Sequence, residues 1–211
     1  KNNSITTALT HQVGQNFQKL QDKRIEAVED YWSRILLMKS TVPAVVNLSY
    51  NILLEEELTV EKLNNTKSNF GQLITQISQR DFTNELAQYS DQIAKHRPFL
   101  SDKLWVLMFA YSGFIGRSVY ILIDGYEKGE IKYWKKDDGI DQILSTALNE
   151  KELKYIKSLK IHSFDSMLQL LENKILNEIN RLISSEDFTN NSLEELKKIN
   201  SILDQGKKSS A

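Results

Sequence analysis

The stretch that decides the fold lies at residues 101–124 and reads SDKLWVLMFAYSGFIGRSVYILID. Ser101 is a typical helix N-cap, and the residues after it are apolar, with Arg117 as the single charge between residues 104 and 123. A helix of this composition has no broad polar face to turn to water. We therefore predict that Leu104 to Ile123 form a central helix that other helices bury on all sides.

A membrane span is the alternative for this stretch, because it is long enough to cross a bilayer. Against that alternative, a charge such as Arg117 inside a span costs about 2.5–3.5 kcal/mol on an insertion scale. Ser112, Gly113 and Gly116 lower its hydropathy further. The other helices have one-sided apolar faces that need a cover, and a central core helix supplies one. We therefore favour a core helix over a membrane span.

Gly113-Phe-Ile-Gly116 has some likeness to a phosphate-binding loop. It lacks the remaining glycines and the lysine of such a loop, and it interrupts a helix instead of beginning one. The two glycines therefore indicate close helix packing.

Arg117 is a candidate for a buried charge or for a ligand-binding residue. A guanidinium inside an apolar helix is costly unless its donors are satisfied, and arginine stays charged at any working pH. We predict that Arg117 is buried and paired with a carboxylate. The expected partners are the acidic run Glu55 to Glu57 or an acid of the helix at 164–183, and a structural pair is favoured over a ligand site.

The rest of the chain also shows helical spacing of apolar residues. Few glycines and only two prolines interrupt it, and one short hairpin is conceivable at Ile131 to Trp134. The predicted fold is an all-α bundle of about seven helices around the central helix, with a long N-terminal helix. Besides the central helix, predicted helices lie at about residues 4–40, 45–54, 60–77, 82–95, 140–148 and 163–183. Capping boxes predict the start of two more helices: one begins at Asn149 with Glu152, and the other begins at Ser192 with Glu195 and ends at Gly206.

This pattern divides the chain into three parts. Residues 1–40 form the long helix, which either projects or pairs as a coiled coil, because its first half is only thinly apolar. Residues 41–206 form the bundle, and residues 207–211 are expected to be a disordered tail. The net charge of −1 provides no long-range attraction for nucleic acid, and the absence of cysteine excludes thiolate chemistry.

No residue pattern predicts a catalytic, cofactor-binding or metal-binding site. The three histidines, His11, His96 and His162, do not stand at the spacing of known helical metal or nuclease motifs. One basic group could bind an acidic partner, although nearby acids almost neutralise it and a solvated helix face is favoured. It consists of Lys151, Lys154, Lys157 and Lys160.

Two segments resemble parts of uncharacterised bacterial all-helical proteins that have an N-terminal membrane-anchor or coiled-coil segment. They are FQKLQDKRIEAVEDYW at residues 17–32 and RPFLS at residues 97–101. The resemblance implies an all-helical intracellular domain, with a tether upstream of residue 1. It implies no catalytic residues.

The leading hypothesis is a non-enzymatic interaction or regulatory domain of a larger bacterial protein, in the cytoplasm or tethered to the membrane upstream of residue 1. Its expected partner is another protein, or a second copy bound through the N-terminal helix. Two alternatives stay open: an extracytoplasmic ligand-sensing bundle, and an effector or nuclease with an unrecognised active site.

Overall fold

The computed structural model describes the backbone of residues 2–65, 70–78 and 81–184. This part of the chain is helical and contains no strand, which confirms the predicted all-α fold. Its nine α-helices are α1 (Asn2–Ser40), α2 (Ala44–Asn51), α3 (Val60–Asn65), α4 (Phe70–Ser78), α5 (Phe82–Ala94), α6 (Asp102–Lys128), α7 (Asp138–Ser145), α8 (Glu150–Ser158) and α9 (Ser163–Ile183).

Helix α6 lies at the centre of the bundle and packs against α1, α4, α5, α7 and α9. It begins as predicted, since the Ser101 side chain accepts a hydrogen bond from the Leu104 N–H at 3.2 Å. It ends at Gly129, whose φ of 82° is the left-handed cap conformation that glycine adopts without strain. Its buried face carries large apolar side chains, among them Leu104, Leu107, Tyr111, Phe114, Ile115, Val119 and Leu122.

Helix α9 runs antiparallel to α6. Tyr111 of α6 donates a 2.8 Å hydrogen bond to Glu172 of α9. Ser101, the N-cap of α6, donates a hydrogen bond of the same length to Glu178, further along α9. At the other end, the rings of Phe114 and Phe164 lie 4.9 Å apart. Residue numbers thus rise along α6 as they fall along α9, and the last turn of α9 lies beside the first turn of α6.

The second half of α1 contributes to the core. Ala27, Tyr31, Ile35 and Met38 are fully buried, and their spacing of three and four places them on one helix face. Tyr31 reaches the start of α6, where its hydroxyl donates to the Leu104 carbonyl at 2.8 Å. The N-terminal half differs, since its described residues at positions 14, 15 and 18–20 are exposed.

Two predicted elements differ from the structure, and two more fall on residues that the structure does not describe. The hairpin at Ile131 to Trp134 does not form, because Trp134–Lys136 is a short 3₁₀ turn with the Trp134 ring buried. The helix expected at 60–77 corresponds to two described helices, α3 and α4, on either side of residues 66–69. The predicted helix at 192–206 and the tail at 207–211 lie outside the described residues.

Candidate interaction surface on helix α6

One face of α6 is open to solvent, so the prediction that this helix is buried on all sides is wrong. Phe109 and Tyr120 are 57% and 54% exposed, and Val106 is also exposed. Phe109 and Tyr120 are eleven residues apart, which is about three helical turns and leaves them roughly 20° apart around the axis. We call the exposed residues Val106, Phe109 and Tyr120, together with the half-buried Gly113 and Gly116 between them, the α6 stripe.

Two glycines form the middle of the α6 stripe. A Cβ atom on Gly113 would lie 3.1 Å from Ile143 Cγ2 of α7, and one on Gly116 would lie 3.2 Å from Leu86 Cδ1 of α5. Both distances are tighter than ordinary packing, so neighbouring helices approach α6 closely because these positions lack side chains. This confirms the packing interpretation of the glycines. It also shows that α5 and α7 flank the α6 stripe.

Arg117 lies at the edge of the α6 stripe, and its partner is not among the acids predicted. Its Nε and one terminal nitrogen each donate a 3.0 Å hydrogen bond to the Asp137 carboxylate. The Arg117 side chain is 41% exposed, whereas that of Asp137 is only 4% exposed. The prediction of a carboxylate pair is therefore right, but the acid is the buried member and not Arg117. The loop after α6 folds back and brings Asp137 to Arg117 in place of the expected acids.

The buried Asp137 carboxylate accepts hydrogen bonds both from Arg117 and from the first turn of α7, and these contacts offset the cost of its burial. It caps α7, since its side chain accepts a 2.9 Å hydrogen bond from the Ile140 N–H. Burial acts to raise the pKa of this carboxyl, but the hydrogen bonds from Arg117 and Ile140 outweigh burial and hold the pKa below its usual value. An acid immediately before an apolar-periodic helix is the sequence signal that could have identified it.

Arg117 also contacts the aromatic part of the α6 stripe. Its guanidinium carbon lies 5.5 Å from the centre of the Tyr120 ring, within the range of a cation–π contact. The hydrogen bonds that Arg117 donates to the Asp137 carboxylate raise the pKa of Arg117. A charged, half-exposed group is thus fixed in one position beside the exposed Tyr120 ring.

The four lysines predicted as a possible basic patch lie on α8 and in the loop that follows it. Lys151 and Lys154 are exposed on α8, and Lys160 is exposed in the loop that follows this helix. Lys157 instead forms an ion pair with Asp141 of α7. The neighbouring Glu152 caps α8 as predicted and also pairs with Lys174 of α9 at 2.8 Å.

The described histidines, His96 and His162, have structural contacts. Nε2 of His96 lies 3.1 Å from an Asp30 oxygen, which joins the α5–α6 connection to α1. His162 precedes α9 with a positive φ of 55°, and its backbone N–H donates to the Asn51 carbonyl at 2.8 Å. The side chain of His11 is not among those described. Within the described residues, no three His, Asp or Glu side chains cluster in a way that could hold a metal ion.

A buried carboxylate joins the start of α6 to the end of α9. The Glu178 side chain is fully buried and accepts hydrogen bonds from Ser101 and Arg181, while Lys103 pairs with it at 3.2 Å. Burial acts to raise the pKa of Glu178, but these donors lower it to about 2. The cluster fixes the relative position of two helix ends.

Among the described residues, α6 is the one helix whose length and composition would allow it to cross a membrane. In the most apolar 18-residue segment of this helix, 56% of the residues are buried inside the bundle.

Comparisons of this chain with protein-family models, with curated proteins and with solved structures find no match. The α6 stripe is therefore interpreted from its own chemistry.

Proposed function

We propose that this chain is a non-enzymatic interaction domain that binds an amphipathic helix of a partner protein on the α6 stripe. The observation that carries the proposal is the exposure of Phe109 and Tyr120 on the one described helix that is long and apolar enough to cross a membrane. Aromatic side chains exposed in a row are costly to hydrate, and their burial is a main source of binding energy at protein interfaces.

The shape of the α6 stripe fits a helix better than an extended peptide. Phe109 and Tyr120 are separated by about 16 Å along the axis, the length of three turns of a partner helix. No described strand edge is present to which an extended peptide could add.

Arg117 supplies an ordered polar contact beside this apolar surface. Because Asp137 already holds its guanidinium, binding would immobilise less of the side chain than a free arginine requires. Arginine and tyrosine are enriched among the residues that dominate interface energies. Arg117 therefore supports a protein-binding function while it also has a structural one.

The N-terminal half of α1 is proposed as a second contact, for self-association. Described side chains in that half are exposed, and Leu20 is 39% exposed on an otherwise polar surface. A narrow apolar line on a long helix is typical of a seam between two helices. In this proposal the domain belongs to a larger bacterial protein and works in the cytoplasm, with any membrane tether upstream of residue 1.

The binding proposal can be tested by site-specific photocrosslinking. A benzophenone amino acid at position 109 should give a discrete adduct in the producing cells, whereas the same group at exposed Tyr155 of α8 should not. The partner identified by mass spectrometry is then purified, and its affinity is measured by calorimetry.

Phe109→Ala should weaken this affinity by about tenfold or more, as expected for an interface hot spot, while Tyr155→Ala leaves it unchanged. Equal affinities for both variants would refute the proposed surface. Adducts that map only within this chain would do the same.

A further inference from the structure

The outward side of α8 and the loop after it are basic and carry exposed apolar side chains. We call the α8 face the six exposed residues Lys151, Lys154, Tyr155, Ser158, Lys160 and Ile161. The four that belong to α8 fall within an arc of about 100° around the helix axis. Tyr155 is 65% exposed, more than any other large apolar side chain among the described residues, and Ile161 is 50% exposed.

The lysines of the α8 face are not neutralised by the acids near them in the sequence. Glu152 pairs with Lys174 of α9 at 2.8 Å, and Asp141 of α7 pairs with Lys157. Within the described part of the chain, no carboxylate forms an ion pair with any of the three lysines of the α8 face. Exposed Glu150, the first residue of α8, is the acid that remains beside them, so the α8 face has a net positive charge.

Exposed apolar side chains continue from Ile161 onto the end of α2. The backbone N–H of His162 donates to the Asn51 carbonyl at 2.8 Å and holds this loop against α2. Ile52, the residue after Asn51, is 56% exposed, and Leu48 one turn earlier is 38% exposed. The α8 face therefore borders a second group of apolar side chains that face water.

The acidic run that follows Ile52 is partly neutralised. Glu55 pairs with Lys136, and Glu57 pairs with Lys62 at 3.4 Å. Glu56 stays exposed. This leaves one exposed acid beyond Ile52, against three lysines on the α8 face.

The chemistry of the α8 face fits an anionic membrane better than an acidic protein or a nucleic acid. Its cations are all lysines, which are depleted at protein interfaces, whereas arginine is the usual residue for interface ion pairs and for nucleic acids. A lysine can keep its ammonium group among lipid headgroups while its stem lies on apolar surface. Tyrosine is enriched where membranes meet water, and exposed isoleucine gains by entering the boundary of the acyl chains.

We infer that the α8 face binds the surface of a membrane that contains anionic lipids. The three lysines lie at the level of the lipid phosphates, while Tyr155 and Ile161 enter the interface. Each lysine held near such a surface strengthens binding by a factor of about five. The bundle lies on the membrane in this arrangement, and α6 stays in its core. The contact does not involve the α6 stripe, so it does not rest on the proposed function.

Cosedimentation with lipid vesicles tests the charged part of this contact. The full chain should bind vesicles of equimolar phosphatidylcholine and phosphatidylglycerol, and it should not bind vesicles of phosphatidylcholine alone. Lys151→Gln with Lys154→Gln should weaken binding by about 25-fold. Lys19→Gln with Lys23→Gln is the matched control, because it removes the same charge from exposed positions of α1. It should leave binding unchanged, since charges more than about 8 Å from the membrane are screened at physiological salt.

The apolar part is tested with an environment-sensitive fluorophore, because the chain has no natural cysteine. A nitrobenzoxadiazole label on Ser158→Cys should brighten and shift to the blue with anionic vesicles, whereas a label on Gln92→Cys of α5 should not. Tyr155→Ala with Ile161→Ala should weaken binding without changing its dependence on salt. Circular dichroism checks that each chain is folded, and light scattering sets a protein concentration at which it is monomeric.

Four results would overturn the inference. They are a lack of binding to anionic vesicles, equal binding to both kinds of vesicle, equal losses in the two glutamine variants, and a fluorescence change at position 158 with polyglutamate or DNA but not with vesicles. The last result would identify an acidic macromolecule as the occupant of the α8 face.

The outcome is independent of photocrosslinking at the α6 stripe. Lipid captured at Tyr155, the control position of that experiment, contains no protein partner. Vesicle binding without a protein adduct at position 109 would leave the membrane contact intact and would remove the proposed function. A confirmed protein partner together with no vesicle binding would do the reverse.

Discussion

Arg117 of α6 donates two hydrogen bonds of 3.0 Å to Asp137, the residue that caps α7. The two helices on either side of the long loop are thereby joined through one buried carboxylate. The same contact keeps the guanidinium beside Tyr120, so it links the packing of the bundle to the geometry of the α6 stripe.

Loss of the Arg117 side-chain charge should destabilise the fold through Asp137. Arg117→Met should lower the free energy of unfolding by about 1.5–3 kcal/mol, because a buried carboxylate loses its two charged hydrogen bonds. This is less than a fully buried pair would lose, since Arg117 is 41% exposed and Lys132 lies 3.6 Å from the carboxylate.

Asp137→Asn in the Arg117→Met chain should restore part of that loss. Asparagine still caps α7 but brings no unpaired charge into the bundle. Denaturant unfolding of the two single variants and the double variant measures the coupling between the residues. Strictly additive effects would contradict the pair.

The free energy of unfolding should fall at low pH because the Glu178 carboxylate becomes protonated. Its folded pKa of about 2 lies below the ordinary 4.5, so the ionised form contributes stability that is fully present above about pH 4.5 and lost as the pH falls toward 2. Glu178→Gln should lower the melting temperature at neutral pH and flatten its decline between pH 4.5 and 2. Exposed Glu150, changed to Gln, is the control. An equally steep decline in the Glu178→Gln chain would show that other groups control acid unfolding.

Two phenylalanines of α6 should differ sharply in their effect on stability. Phe114 is fully buried against Trp134 and Phe164, and Phe114→Ala should cost about 3–5 kcal/mol. Phe109→Ala should change the free energy of unfolding by no more than about 0.5 kcal/mol, because the ring already faces water. Urea unfolding compares them directly. A large loss for Phe109→Ala would mean that this ring belongs to the folded core.

Self-association should depend on the N-terminal half of α1. Light scattering at high protein concentration should detect a dimer, and Leu20→Glu should reduce it without lowering the melting temperature. Leu36→Glu is the control, because Leu36 is 45% exposed on the other half of the same helix. A monomer at high concentration, together with unchanged stability after deletion of residues 1–16, would exclude this contact.

Several helix ends could be predicted because their causes are local. Ser101 caps α6 and Asn149 with Glu152 caps α8, as their sequence positions predict, since a cap needs only its own first turn. Pro98 likewise explains why α5 ends at Ala94. The three-and-four spacing of apolar residues determined the all-α class for the same reason, since each repeat depends on neighbours along the chain.

The partner of Arg117 and the open face of α6 were decided by tertiary structure alone. A helix that is apolar on every side has no polar stripe to show which face stays exposed, so its sequence could not indicate that Phe109 and Tyr120 would be left uncovered. That choice depends on where α5 and α7 pack across Gly116 and Gly113. Asp137 reaches Arg117 because the loop after α6 folds back on it, and a contact between residues twenty apart depends on the path of that loop.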